Sequence, residues 1–149
     1  MSEAIPKRGV LLGIDYGSKR VGLAVCDEGR TVAVPLALYE RRKPELDAAY
    51  FREQVKKHHV VGLVVGLPVH LKSGDEGKLA KEARAFGAWL GAAVALPVAY
   101  VDERQTTSLA HRLLAEAGVK VKARQAKVDK LAAQIVLQTY LDADGPSSL

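Results

Sequence analysis

The stretch VLLGIDYGSKRVGLAVCD, residues 10–27, decides how the chain begins to fold. Two runs rich in β-branched residues, VLLGID (10–15) and RVGLAVCD (20–27), flank a short Gly-Ser turn, and a third, TVAVPLALYE (31–40), follows an EGR turn. Such short apolar runs with tight polar connections predict a three-strand antiparallel meander. The first strand ends on Asp15, followed by Tyr16, Gly17, the Ser18 hydroxyl and Lys19. A carboxylate closing a buried strand is costly unless it is paired or holds a cation, so the rest of the chain has to supply its partner.

Beyond residue 40 the periodicity changes. PELDAAYFREQVKKHH (44–59) starts with proline and carries Leu46, Ala49, Tyr50 and Val55 near helical spacing. VVGLVVGLP (60–68) is too apolar for a solvent face and predicts a buried parallel strand. The polar loop LKSGDEG leads to a helix over 78–93, a strand over 94–103 and a helix over 106–118 that Gly118 is placed to end. A basic connector, VKVKARQAK (119–127), precedes a last helix over 128–142. The order βββαβαβαα predicts one α/β domain over residues 1–149, with 1–8 and 143–149 as frayed ends. Its mixed five-stranded sheet combines the antiparallel meander with parallel strands and is flanked by helices, the ribonuclease H-like pattern.

The 149 residues are 48% hydrophobic, enough for a core without disulfides or structural metals. The formal charge of +5 suits a polyanionic partner. The lone Cys26 has no partner for an internal disulfide or a cysteine zinc site, which fits a reducing compartment and a small core residue. No apolar run approaches the ~20 residues of a membrane helix, and MSEAIPKRG lacks the apolar region of a signal peptide. A cytoplasmic protein with no membrane partner is expected.

Four acids stand where packing does not require them: Asp15 at the end of the first strand, Asp102 and Glu103 at the end of the last, and Asp129 in the first turn of the last helix. Ligands collect outside the carboxyl ends of strands in such sheets. Helical counting from Asp129 reaches Ala132, Ala133 and Val136, so it shares the helix's apolar face, and the alanines allow close approach to the sheet. Gly13 lies on the same side of its strand as Asp15 and also leaves room. The expectation is that Asp129 comes near Asp15 and that the gathered carboxylates hold Mg²⁺ or Mn²⁺, two ions about 4 Å apart, which suits phosphodiester hydrolysis. Taken singly, an acid at a helix start can instead cap the helix or complement its dipole. Adjacent Asp102 and Glu103 point to opposite faces. Glu103 shares the face of Ala99 and Val101, which makes it the expected ligand beside Asp15 and Asp129, while Asp102 orients the following turn.

GIDYGSKRVGLAVCD, VVGLP, VDERQTT and KVDKLAAQIVLQTYLD together resemble, in order and over nearly the whole chain, the YqgF-like family of pre-16S rRNA nucleases, also described as Holliday-junction resolvases. The resemblance implies a ribonuclease H-like metal-dependent nuclease maturing the 5′ end of pre-16S rRNA in the cytoplasm, with branched DNA as the alternative substrate and a ribosomal precursor particle as a partner. It matches Asp15 to the first-strand acid, Asp102 and Glu103 to the acid pair, and Asp129 to the helical acid. One departure is the loop VHLKSGDEG, which has His70 where the family usually has Asn.

Ser18, Lys19, Arg20, Arg104, Lys122, Arg124 and Lys130 flank the acids and are the expected substrate contacts, as a cluster suited to a phosphate backbone. Singly, each is equally well a solvated surface residue. His58 and His59 end a helix and suit its dipole. His111 is expected to be exposed and Trp89 to be core. The opening GIDYGSKRVGLAV is also similar to the phosphate loop of actin and sugar-kinase ATPases, but that fold needs two such domains and no later adenosine motif is visible. A non-catalytic nucleic-acid binder is disfavoured by the presence of all the acids.

Overall fold

The computed structural model describes residues 5–68, 77–102, 115–118 and 121–144, with the backbone alone for 121–130 and 144. The strands are β1 (Val10–Asp15), β2 (Arg20–Cys26), β3 (Ala33–Glu40), β4 (Val60–Leu67) and β5 (Val98–Asp102). The helices are α1 (Pro44–His58), α2 (Lys78–Val94) and α3 (Val121–Asp144). One mixed sheet runs in the order β3-β2-β1-β4-β5. Its first three strands are antiparallel, while β4 lies parallel to both β1 and β5. This is the expected ribonuclease H-like mixed sheet.

Strand alternation divides the core. Leu12, Ile14, Leu63 and Val65 pack with Phe51 of α1 and Phe86 and Leu90 of α2 on one face. Leu11, Ala24 and Val64 pack with Ala133, Val136 and Leu137 of α3 on the other. Cys26 is buried in this second cluster, where its Sγ accepts the Leu11 N–H at 3.3 Å and burial pushes its thiol pKa up. It is the expected core residue.

Several boundaries differ from the sequence reading for local reasons. β3 begins at Ala33 rather than residue 31, and β2 stops at Cys26, because the Asp27 carboxylate captures the N–H groups of Thr31 and Val32 at 2.9 and 2.8 Å. β5 begins at Val98 rather than 94, since α2 continues through Val94 until Ala95 takes a left-handed φ of 57° and ends it. The last helix begins at Val121, not 128. The stretch read as a basic connector is rich in Lys, Ala, Arg and Gln, all strong helix formers. Asp129 is therefore not in a first turn but well inside the helix, where a capping or dipole role no longer accounts for it.

Residues 5–8 were expected to fray. Instead Ile5 packs on the second core, and the buried Arg30 guanidinium donates to the carbonyls of Pro6 and Gly9. Trp89, expected in the core, is 36% exposed and touches Phe86. His58 lies in the last turn of α1, and His59 forms its left-handed cap with φ 56°. Gly118, at φ 83°, has the left-handed conformation of a helix stop. Among the described residues, no helix is long and apolar enough to cross a membrane.

Candidate active site at the carboxyl ends of the parallel strands

Gly13 determines how close α3 comes to the sheet. A Cβ at Gly13 would stand 2.7 Å from Leu137 Cβ and 3.1 Å from the Ala133 carbonyl oxygen, so only glycine permits this approach. Gln134 donates to the Ala33 carbonyl at 3.0 Å, and Gln138 reaches the Ala33 N–H at 2.9 Å and the Thr31 carbonyl at 3.2 Å. Ala33 pairs with Cys26 at the amino end of β1. Helix α3 thus runs toward the amino end of β1, and its residues before Ala133 run the other way, toward Asp15.

Asp15 shares the α3 face with Gly13 by alternation, and its row continues through Gly66 to Val101, which packs in the α3-side core. Asp102 lies one residue further on and belongs to the opposite face. Its neighbour two residues back, Tyr100, lies against Gly87 of α2 and donates from its hydroxyl to the Arg84 carbonyl at 3.2 Å. Burial raises the Tyr100 pKa. Glu103, Arg104 and the His70 loop lie outside the described residues. For Asp129, Lys122, Arg124 and Lys130 the backbone is described but not the side chain, with Asp129 one turn before Ala133.

After β1 the chain turns sharply. A Cβ at Gly17 would collide with the Arg20 carbonyl oxygen, which explains the glycine in this loop. The turn leaves a cleft of about 220 Å³ lined by Asp15, Tyr16, Gly17, Ser18, Lys19, Arg20, Gly22 and Leu38. Asp15, Ser18, Lys19 and Arg20, all singled out by sequence, are therefore brought together. Among the described residues the cleft offers carboxylate and hydroxyl oxygens and no imidazole or thiolate, a donor chemistry that fits Mg²⁺ or Mn²⁺. Among the described residues no three ligating side chains meet.

Sequence reading missed Arg41. It follows β3, whose end pairs with the start of β2 (Glu40 with Arg20), at the same edge of the sheet as Asp15. Its N–H donates to the Lys19 carbonyl at 2.8 Å. A second cleft, of about 360 Å³, is lined by Lys19, Arg20, Glu40 and Arg41. The signal was present as the basic run Arg41-Arg42-Lys43 directly after a strand, but a meander read one strand at a time does not show that the run ends beside Asp15.

A family model described as "RuvX: Holliday junction resolvase" matches residues 9–143. A "Putative pre-16S rRNA nuclease" of Rhodopirellula baltica is 38% identical over 95% of this chain and 81% of the relative. A protein of the same description from Paramagnetospirillum magneticum is 45% identical over 89% of this chain and 84% of its own length. Among solved structures, T. thermophilus RuvC in complex with Holliday junction substrate superposes with a TM-score of 0.56 at 18% identity, covering 91% of this chain and 95% of that one. The fowlpox virus Holliday junction resolvase gives 0.51 at 11% identity, covering 90% and 99%. At these identities the structural likeness speaks for the fold, whereas the family match and the relatives near 40% identity speak for descent. By that match the chain belongs to the RuvX family of resolvase-like nucleases.

Proposed function

We propose that this nuclease is metal-dependent, that Asp15, Glu103 and Asp129 form its centre, and that its substrate is the 5′ region of pre-16S rRNA. The observation that carries the reading is the contact of Gly13 with Ala133 and Leu137. From Gly13, Asp15 lies two strand residues on, about 7 Å away, and on the helix the backbone of Asp129 lies about 6 Å before Ala133 and about 12 Å before Leu137, in the same direction. Acids carried at these two positions suit a shared cation, which would offset their mutual repulsion.

The face of Asp102 supports Glu103 as the third ligand, because a strand continued by one residue returns to the α3 side. When bound, a pair of divalent ions supplies an activated water and charge stabilisation at the leaving oxygen. The protein's own part is to hold that centre and the substrate in register. Asp15 is fixed by β1, Asp129 by α3, and the Gly17 turn presents Ser18, Lys19 and Arg20 along the cleft, where their donors can hold the phosphate. Asp102, exposed at the end of β5 on the opposite face, is suited to orienting the chain that leaves the strand.

Relatives named for pre-16S rRNA support an RNA substrate, and the family's resolvase description supports branched DNA as a second reading. Symmetric cleavage of a junction requires a two-fold dimer. One cleavage panel tests both: precursor rRNA, single strands and four-way junctions, each with Mg²⁺ and with Mn²⁺. Cleavage at the 5′ end of 16S in the precursor is the expected result. Paired cuts in junctions with the precursor left intact would overturn it.

A further inference from the structure

The second cleft shares Lys19 and Arg20 in its lining with the cleft at Asp15, so the two clefts adjoin at these cations, one reaching Asp15 and the other Arg41 after β3. Among the described residues, the charged lining beyond Asp15 is Lys19, Arg20 and Arg41 against the carboxylate of Glu40.

Arg41 is held unlike an ordinary surface arginine. Its guanidinium carbon lies 5.0 Å from the Phe86 ring centroid and 5.4 Å from that of Tyr16, and Nη1 donates to the Tyr16 hydroxyl at 3.2 Å. Its Nε is buried without a hydrogen bond, 3.7 Å from Oδ2 of Asp47. Asp47 is itself 1% exposed. The other Asp47 oxygen accepts the Tyr39 hydroxyl at 2.6 Å and the Arg42 N–H at 2.8 Å. The inner edge of the guanidinium is thus fixed by rings and a buried carboxylate, while the side chain keeps 27% exposure on the second cleft. A planar guanidinium stacked in this way is set to grip two phosphate oxygens with its outer edge.

We propose that the two adjoining clefts act as one groove that carries a nucleic-acid strand away from Asp15 toward the β3 edge, with Arg41 binding a phosphate beyond the reacting one and Asp47 acting as its positioning residue. The inference rests on the nuclease reading above. It adds a direction for the substrate and a phosphate contact outside the acid cluster.

The test is equilibrium binding of a fluorescein-labelled single-stranded RNA oligonucleotide to the full chain, without divalent ions, over a salt series. Arg41→Gln is expected to weaken binding by about tenfold and to flatten the log-log salt dependence by about 0.7, the loss of one phosphate contact. Asp47→Asn discriminates between roles. Removing a negative charge would tighten binding if only electrostatics mattered, whereas a lost positioning residue weakens it. Should Arg41→Gln not fold, Glu40→Lys at the exposed rim reads the same groove and is expected to tighten binding and steepen the salt dependence. An Arg41→Gln slope equal to wild type, or no response to Glu40→Lys, would overturn the groove. Tighter binding by Asp47→Asn would overturn the positioning role. Asp15→Asn, run alongside for cleavage, separates the readings, since loss of cleavage there with an unchanged Arg41→Gln slope rejects the groove alone.

Discussion

Replacing Gly13 with alanine tests the packing that brings α3 to the sheet. The added Cβ meets Leu137 Cβ at 2.7 Å and the Ala133 carbonyl oxygen at 3.1 Å. Neither is the end of a flexible side chain, so ordinary contact returns only if α3 retreats by about 1 Å. Overpacking of this kind costs about 1–3 kcal/mol, offset by about 0.4–1 kcal/mol from the reduced freedom of the unfolded chain, for a net loss of roughly 1–2 kcal/mol. Truncating Leu137 to Ala leaves its Cβ in place and should not rescue the variant. The same retreat shifts Asp129 away from Asp15, and a displacement near 1 Å at a reacting centre costs about 10²-fold in rate. Urea unfolding gives the stability change, and cleavage measured well below the melting temperature gives the rate. A Gly13→Ala protein that is less stable yet cleaves at the wild-type rate would show that α3 carries no part of the centre. An unchanged stability would refute the close contact itself.

Other predictions concern the charged and polar junctions. Glu103→Gln should abolish metal-dependent cleavage while Asp102→Asn changes mainly the melting temperature; the reverse ordering in a parallel assay would exchange their roles. Burial, reinforced by the hydrogen bond to Asp47, pushes the Tyr39 pKa from 10.0 up to about 12. The folded state therefore holds this proton more tightly, and the associated stability is present below pH 10 and lost as the pH rises to about 12. Urea titrations should show that Tyr39→Phe removes this alkaline loss. Asp27 is held down to about 2 from 3.8, chiefly by the Val32 N–H. Its smaller, solvent-screened contribution should vanish between about pH 4 and 2, and Asp27→Ala should cost about 1 kcal/mol in the same titrations.

How far the sequence could be read depended on whether a feature is local or made between distant segments. The strand runs, the Gly13 to Ala133 approach and the cluster at Asp15, Ser18, Lys19 and Arg20 follow from alternation and helical spacing. The start of α3 did not, because Lys-rich sequence is equally a helix former and a solvated connector until packing further along extends the helix. Trp89 had helical spacing but lies at the margin of the α2 core face, against Phe86 and 36% exposed. Arg41 and its support from Asp47 were illegible for another reason: Phe86 and Tyr16 are far from residue 41 in sequence, and only the sheet brings their rings under its guanidinium.

The central claim is that Asp15 and Asp129 repel one another until a shared cation joins them. Thermal melting of wild type, Asp15→Asn and Asp129→Asn with chelator and with Mg²⁺ or Mn²⁺ tests it most directly, with cleavage measured in the same samples. The account predicts that wild type melts higher with the ions, that each asparagine variant melts at or above wild type in chelator, that neither responds fully to the ions, and that neither cleaves. Wild-type cleavage persisting in chelator, or an ion-dependent melting shift equal in all three proteins, would contradict it.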